Sequence, residues 1–111
     1  MRSLNHLLRR SRSGKNENVY RWLFARAQEL SRSNSKSVFG QFRSLIEQYH
    51  RDVPVEYLCG SAMFYQRLFL VNRHVLIPRR DSETLIDHVR QLDGPSERSV
   101  LEIGTGSGCL A

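Results

Sequence analysis

Ser99-Val100-Leu101-Glu102-Ile103-Gly104-Thr105-Gly106-Ser107-Gly108-Cys109-Leu110-Ala111 places a short apolar run, an acid and three glycines at alternate positions in succession. The apolar run predicts a strand. The glycines predict a turn whose backbone N–H groups approach a ligand, because glycine adopts conformations closed to other residues. Strand plus glycine turn is the first half of a strand-turn-helix unit, whose strand needs parallel neighbours and whose helix needs residues past Ala111. The expectation is therefore the N-terminal part of a longer α/β protein, with a site met by main chain more than by side chains.

Upstream of this turn the chain is too short for more than one small domain. Its net charge of +6 is unevenly spread. Arg2, Arg9, Arg10, Arg12 and Lys15 fall in the first fifteen residues without an acid, whereas the other 96 residues carry twelve basic and eleven acidic groups. Residues 1–16 read as a basic tail or as a transit peptide. Leu4, Leu7 and Leu8 share a helical face in an Arg- and Ser-rich, acid-free segment, and the transit reading predicts a mitochondrial destination. The nearly neutral body argues against direct nucleic-acid binding. No apolar run approaches the ~20 residues that span a bilayer, so no membrane association is expected. Cys59 and Cys109 lie far apart with no CxxC pair, which speaks against a disulfide scaffold. His6, His50, His74 and His88 have no metal-ligand spacing, so no metal is expected.

Tyr20, Leu23, Phe24, Ala27 and Leu30 recur at helical spacing and predict a helix near 18–30, with Asn16 or Asn18 as its cap. Ser31 to Ser37 is a polar linker. Val38, Phe39, Phe42, Leu45, Ile46 and Tyr49 predict a second amphipathic helix near 38–50 that packs on the first as a hairpin. Pro54 opens a short third helix that Gly60 stops. Then the period changes. Met63-Phe64-Tyr65 and Leu68-Phe69-Leu70-Val71 predict a β-hairpin near 62–71 turning at Gln66-Arg67, although neither residue takes positive φ readily and the register stays open. Val75-Leu76-Ile77 reads as extended up to Pro78. Asp81 or Ser82 caps a helix near 82–92 carrying Leu85, Ile86, Val89 and Leu92, and Asp93-Gly94-Pro95 ends it. The resulting plan is a tail over 1–16, a helical domain over 17–60, a hairpin linker over 61–78 and an α/β domain beginning at 79.

A dinucleotide fingerprint would need its third glycine at 109, where this chain has Cys109. The loop is more similar to the first motif of class I methyltransferases, in which an acid two residues before the first glycine, here Glu102, sits beside the methionine part of S-adenosylmethionine. Further residues narrow the resemblance. Val53-Pro54-Val55-Glu56-Tyr57-Leu58-Cys59-Gly60, Phe64 in the hairpin, and Leu76-Ile77-Pro78-Arg79-Arg80-Asp81-Ser82-Glu83 stand in order before the glycine loop. Residues 53–111 thereby resemble the glutamine methyltransferases of peptide-chain release factors, the HemK or PrmC family. That family typically reads Glu-Pro-x-x-Tyr-x-x-Gly, an aromatic hairpin, and Ile-Pro-Arg-Pro-Glu-Thr-Glu. This chain departs from it at Val53, Met63, Tyr65 and Arg80. The family's Asn-Pro-Pro-Tyr motif, which positions the substrate glutamine, has no counterpart in these residues, so the resemblance assigns no catalytic residue.

The resemblance implies a Rossmann-like methyltransferase domain, α/β in class, whose first strand and turn are present here behind a helical domain and hairpin. It implies S-adenosylmethionine as cofactor, held by Glu102, Gly104, Thr105, Gly106, Ser107 and Gly108, with Arg79 and Ser82 bordering the pocket and Ser82 in the place of the family's threonine. It implies a release factor as protein substrate and a monomeric enzyme. These 111 residues alone are expected to be inactive. Phe64, Tyr65 and Phe69 are read as hairpin packing; His88, Cys59 and Cys109 as structural. Two rival readings stand beside this one: a dehydrogenase-like nucleotide-binding module, and a small basic protein whose tail binds RNA or an anionic membrane with steep salt dependence.

Overall fold

The computed structural model describes residues 15–92 and 99–111. The basic tail, apart from its last residues, and the Asp93-Gly94-Pro95 helix stop lie outside the described residues. The chain divides between Cys59 and Gly60 into two compact units.

The first unit holds α1 (Lys15–Ser33), α2 (Val38–Tyr49) and α3 (Val55–Cys59). α1 starts at Lys15, so Asn16 and Asn18 stand inside its first turn rather than capping it. It also runs on to Ser33, which shortens the linker, and Ser31 Oγ donates to the Lys36 carbonyl at 2.8 Å to close it. At α2 the cap is Ser37, whose hydroxyl accepts from the Gly40 N–H at 3.1 Å. Asp52 ends the turn after α2 with φ of 61°, its N–H donating to the Tyr49 carbonyl at 3.1 Å while Val53 N–H reaches Gln48 at 3.2 Å. Aspartate tolerates this left-handed geometry better than most residues. α3 opens on Pro54, whose carbonyl accepts from Tyr57 and Leu58, and it stops at Gly60 with φ of 76°.

The helices share one core of Tyr20, Leu23, Ala27, Phe42, Leu45, Ile46 and Leu58. Leu23, Ala27 and Ile46 are fully buried, and Phe24 meets Phe42 edge-on with ring centroids 5.3 Å apart. Two helices alone bury too little, and Leu58 of α3 adds the missing third side. Phe39 departs from the helical pattern: although it follows the stripe of α2, it is 59% exposed. A stripe broad enough to include positions 38, 39, 42, 45, 46 and 49 exceeds the width that one partner helix covers.

The second unit holds β1 (Ser61–Phe64), β2 (Arg67–Leu70), a 3₁₀ turn (Arg80–Ser82) and α4 (Glu83–Gln91). β1 and β2 pair antiparallel, Ser61 with Leu70 and Phe64 with Arg67, and Val71 N–H extends the ladder to the Gly60 carbonyl at 3.0 Å. The turn is therefore Tyr65-Gln66, one residue earlier than Gln66-Arg67. Both residues take positive φ, 46° and 61°, as a type I′ turn requires. Left-handed backbone costs non-glycine residues about 1–2 kcal/mol each, so this turn must be held by something else. Inside the hairpin, Phe64 is almost fully buried and meets Phe69 edge-on at 6.1 Å.

Beyond β2, Asn72 Oδ1 accepts from His74 N–H at 2.9 Å and Val75 N–H bonds the Asn72 carbonyl, so Val75 closes a turn rather than opening an extended run. α4 begins one residue later than its pattern suggests. Neither Asp81 nor Ser82 caps it through its side chain; Ser82 is already helical in φ and ψ, and the preceding 3₁₀ turn supplies the entry. No strand forms over residues 99–103. A strand is defined by its partners, and none of the described residues pairs with this run; Val100, Leu101 and Ile103 are 84%, 86% and 89% exposed. The described residues are thus mixed in class, four α-helices with a two-stranded antiparallel sheet.

Candidate functional site

Gly104, Gly106 and Gly108 all have positive φ, 77°, 58° and 75°. The alternation of glycine with Thr105 and Ser107 thus becomes an alternation of backbone handedness, which turns the chain tightly enough for Gly108 N–H to donate to the Thr105 carbonyl at 2.9 Å. A Cβ on Gly104 or Gly108 would meet nothing within 4 Å, and one on Gly106 only the Gly104 carbonyl at 3.7 Å. Conformation, not crowding, demands glycine here. Glu102 is half-buried at the foot of the loop, Ser107 and Gly108 likewise, while Gly104, Thr105 and Gly106 face solvent. The loop is an open cradle of small residues with one carboxylate beside it.

The other two residues assigned to this site lie on the approach to α4. Arg79 precedes the 3₁₀ turn and is exposed, and its carbonyl accepts from Ser82 N–H at 3.0 Å. Ser82 is half-buried at the junction of the 3₁₀ turn with α4. Among the described residues no hydrogen bond or ion pair joins either side chain to the glycine loop.

Sequence reasoning missed a second cluster. Tyr65, at the hairpin tip, is held by α4 in three ways: its N–H donates to Glu83 Oε1 at 2.7 Å, its hydroxyl donates to Asp87 Oδ1 at 2.7 Å, and Arg90 donates to that hydroxyl at 3.0 Å. The Arg90 guanidinium also lies 6.0 Å from the Tyr65 ring centroid. With Gln66 and Arg67 these residues line an open groove of about 640 Å³. The available signal was the i, i+4, i+7 spacing of Glu83, Asp87 and Arg90, which reads equally well as an ordinary solvated face.

Cys59 is half-buried at the end of α3. Burial pushes its thiol above the usual 9.0, with Glu56 and Glu29 adding to the rise and Arg26 opposing it. A thiol held protonated by burial is a poor nucleophile at neutral pH. His88 contacts the Thr84 carbonyl through Nδ1 at 2.7 Å, within its own helix. No group of three metal-ligating side chains occurs among the described residues.

No family model matches the chain. Curated proteins do. A release factor glutamine methyltransferase of Xylella fastidiosa is 45% identical over 71 residues, 63% of this chain and 26% of its own length. One of Mycoplasma mycoides is 32% identical over 92 residues, 82% of this chain and 32% of its length. The chain is a relative of the release factor glutamine methyltransferases. A bifunctional methyltransferase of Rickettsia typhi is also similar, 36% identical over 102 residues, 75% of this chain and 20% of the relative. The chain thus spans between a fifth and a third of the length of these methyltransferases.

Proposed function

We propose that this chain contributes the cofactor-loop region of an S-adenosylmethionine-dependent methyltransferase that modifies the Gly-Gly-Gln glutamine of a peptide-chain release factor. The observation that carries the reading is the left-handed conformation of all three loop glycines directly after Glu102, in a chain whose relatives bear that name. The loop fits the cofactor. It offers main-chain N–H donors for carboxylate or hydroxyl oxygens, open space at each Cα, and one half-buried carboxylate that can accept from an α-amino group or a ribose hydroxyl. Glu102 would accept from the cofactor, Gly104 to Gly108 would cradle it, and Arg79 and Ser82 would border it. The cofactor supplies the methyl group on a sulfonium sulfur.

An amide nitrogen is a poor nucleophile, so the protein's part is to align it with the methyl and exclude water. The domain plan proposed for this purpose is the helical domain of residues 17–60, the hairpin linker of 61–78, and a Rossmann-like domain starting at 79 that needs further parallel strands beside residues 99–103. Residues 1–16 are proposed as a mitochondrial transit segment. The enzyme is proposed to act as a monomer on a protein substrate.

The test is transfer of radiolabelled methyl from S-adenosylmethionine to a release factor. It is run with the 111-residue chain and with an extended protein continuing through an Asn-Pro-Pro-Tyr motif. Label on the Gly-Gly-Gln glutamine with the extended protein, lost in Gly104→Ala combined with Gly106→Ala, supports the reading. Absence of label with the extended protein, or label that survives both substitutions, overturns it.

A further inference from the structure

Among the described residues of the second unit, the non-glycine residues with left-handed backbone are the two at the hairpin tip. Type I′ turns favour Asn-Gly, and here Tyr65 and Gln66 stand in those places, both left-handed. Such strain persists only where the surroundings over-determine the conformation. The surroundings are three side chains from a single face of α4, one turn apart. Glu83 takes the strained backbone N–H itself, while Asp87 and Arg90 take the phenol from opposite chemical sides, one as acceptor and one as donor. Leu85 and Val89 of α4 and Leu92 just past its end are exposed, while Ile86 is half-buried, so the hydrogen bonds of the polar face add to Ile86 in tying the helix to its own unit.

We propose that Glu83, Asp87 and Arg90 are positioning residues that latch the hairpin tip onto α4, making the hairpin and the Arg79–Ser82 approach to α4 one body. Glu83 is the key element because its carboxylate bonds the backbone rather than a side chain. It therefore fixes the turn whatever rotamer Tyr65 adopts, and hydrogen bonds to a charged acceptor are the stronger kind. Asp87 and Arg90 then fix that rotamer. The purpose rests on the proposed function: Arg79 and Ser82 border the cofactor only if the segment that carries them is held, and the latch holds it at its C-terminal end.

Amide hydrogen exchange on the ¹⁵N-labelled 111-residue chain tests the latch without cofactor or substrate. Glu83→Ala should speed exchange at Tyr65 about tenfold or more, whereas Glu83→Gln, which keeps a carbonyl acceptor, should restore most of the protection. Val71, bonded to Gly60 at the far end of the ladder, is the internal reference. Tyr65→Phe removes both phenol bonds and should speed exchange at residue 65 several-fold, and adding Asp87→Ala to it should change nothing further. Unchanged exchange at Tyr65 in Glu83→Ala, or an Asp87→Ala effect of equal size with and without Tyr65→Phe, overturns the proposal. In the extended enzyme, Glu83→Ala should raise KM for S-adenosylmethionine, with rescue by Glu83→Gln; an unmoved KM overturns the coupling to the cofactor. No transfer in the unsubstituted extended enzyme would refute the proposed function and leave the latch standing.

Discussion

Leu23→Ala should unfold the helical unit, and Phe39→Ala should leave it almost untouched. Leu23 is fully buried at the centre of the core formed by α1, α2 and α3. Leucine-to-alanine changes at such positions cost about 2–5 kcal/mol, the lost transfer energy plus the cavity left behind. A core of this size supplies no more than about 3–5 kcal/mol in total. The substitution therefore removes most or all of the margin, and helicity should fall even without denaturant. Phe39 is the larger residue and lies on the predicted apolar stripe of α2, yet it is mostly exposed, so its truncation should cost within about 0.5 kcal/mol. Urea titration of the 111-residue chain followed by far-ultraviolet circular dichroism at 222 nm distinguishes the two. A Leu23→Ala midpoint equal to that of the parent would refute the packing described here. So would a Phe39→Ala loss as large as that of Leu23→Ala, since Phe39 would then be a core residue as the periodicity suggests.

Ser37→Ala removes the cap of α2 and should cost about 1 kcal/mol in the same titration. Gly40→Ala should recover part of the ~1 kcal/mol that glycine costs a helix, but less than the full amount while Ser37 is present, because the new Cβ would sit 3.3 Å from the Ser37 hydroxyl; the gain should grow when the two substitutions are combined. Cys59 makes stability pH-dependent in one direction. Its folded pKa is raised above 9.0, so the unfolded chain loses its proton first, and the contribution, intact below pH 9, is lost as pH climbs through the raised value. Urea midpoints of Cys59→Ala and the parent, compared at about pH 8 and about pH 10, should show the parent losing more. A fluorescent protein fused behind residues 1–16 should enter mitochondria; diffuse cytosolic signal would refute the transit proposal.

The helical unit was largely legible because its helices carry local instructions: period-3.6 apolar positions, Pro54 as opener and Gly60 as stop. Its caps were not, since Asn16 and Asn18 fall inside α1 and Ser37, read as linker, is the cap of α2. Phe39 misled because periodicity gives the direction of a face but not how much of it a neighbour covers. The glycine loop was legible for the same local reason, since alternate glycines ask for alternate handedness. The hairpin turn was not. Tyr65 and Gln66 have no intrinsic preference for positive φ, and the conformation depends on Glu83, eighteen residues away, a contact that no local pattern contains. The strand at 99–103 failed for the complementary reason, because its sequence has β propensity while the ladder that would make it a strand must come from other strands. Arg79 and Ser82 entered the candidate site through family resemblance, and the hydrogen bonds of the described residues do not join them to the loop.

The exposed run before the glycine loop also bears on how molecules of this chain behave toward one another. Val100, Leu101 and Ile103 are β-forming, almost wholly solvent-facing and free of proline, the composition from which chains build intermolecular ladders. Glu102 is the single charge among them, and stacked copies would bring these carboxylates into a column of like charge. The residue proposed to hold a cofactor would then also oppose such stacking. Neutralising it by Glu102→Gln should turn a dispersed chain into one that scatters light at concentrations where the parent stays clear, and loss of cofactor affinity in that variant would have two origins, a missing acceptor and a shrinking pool of single molecules.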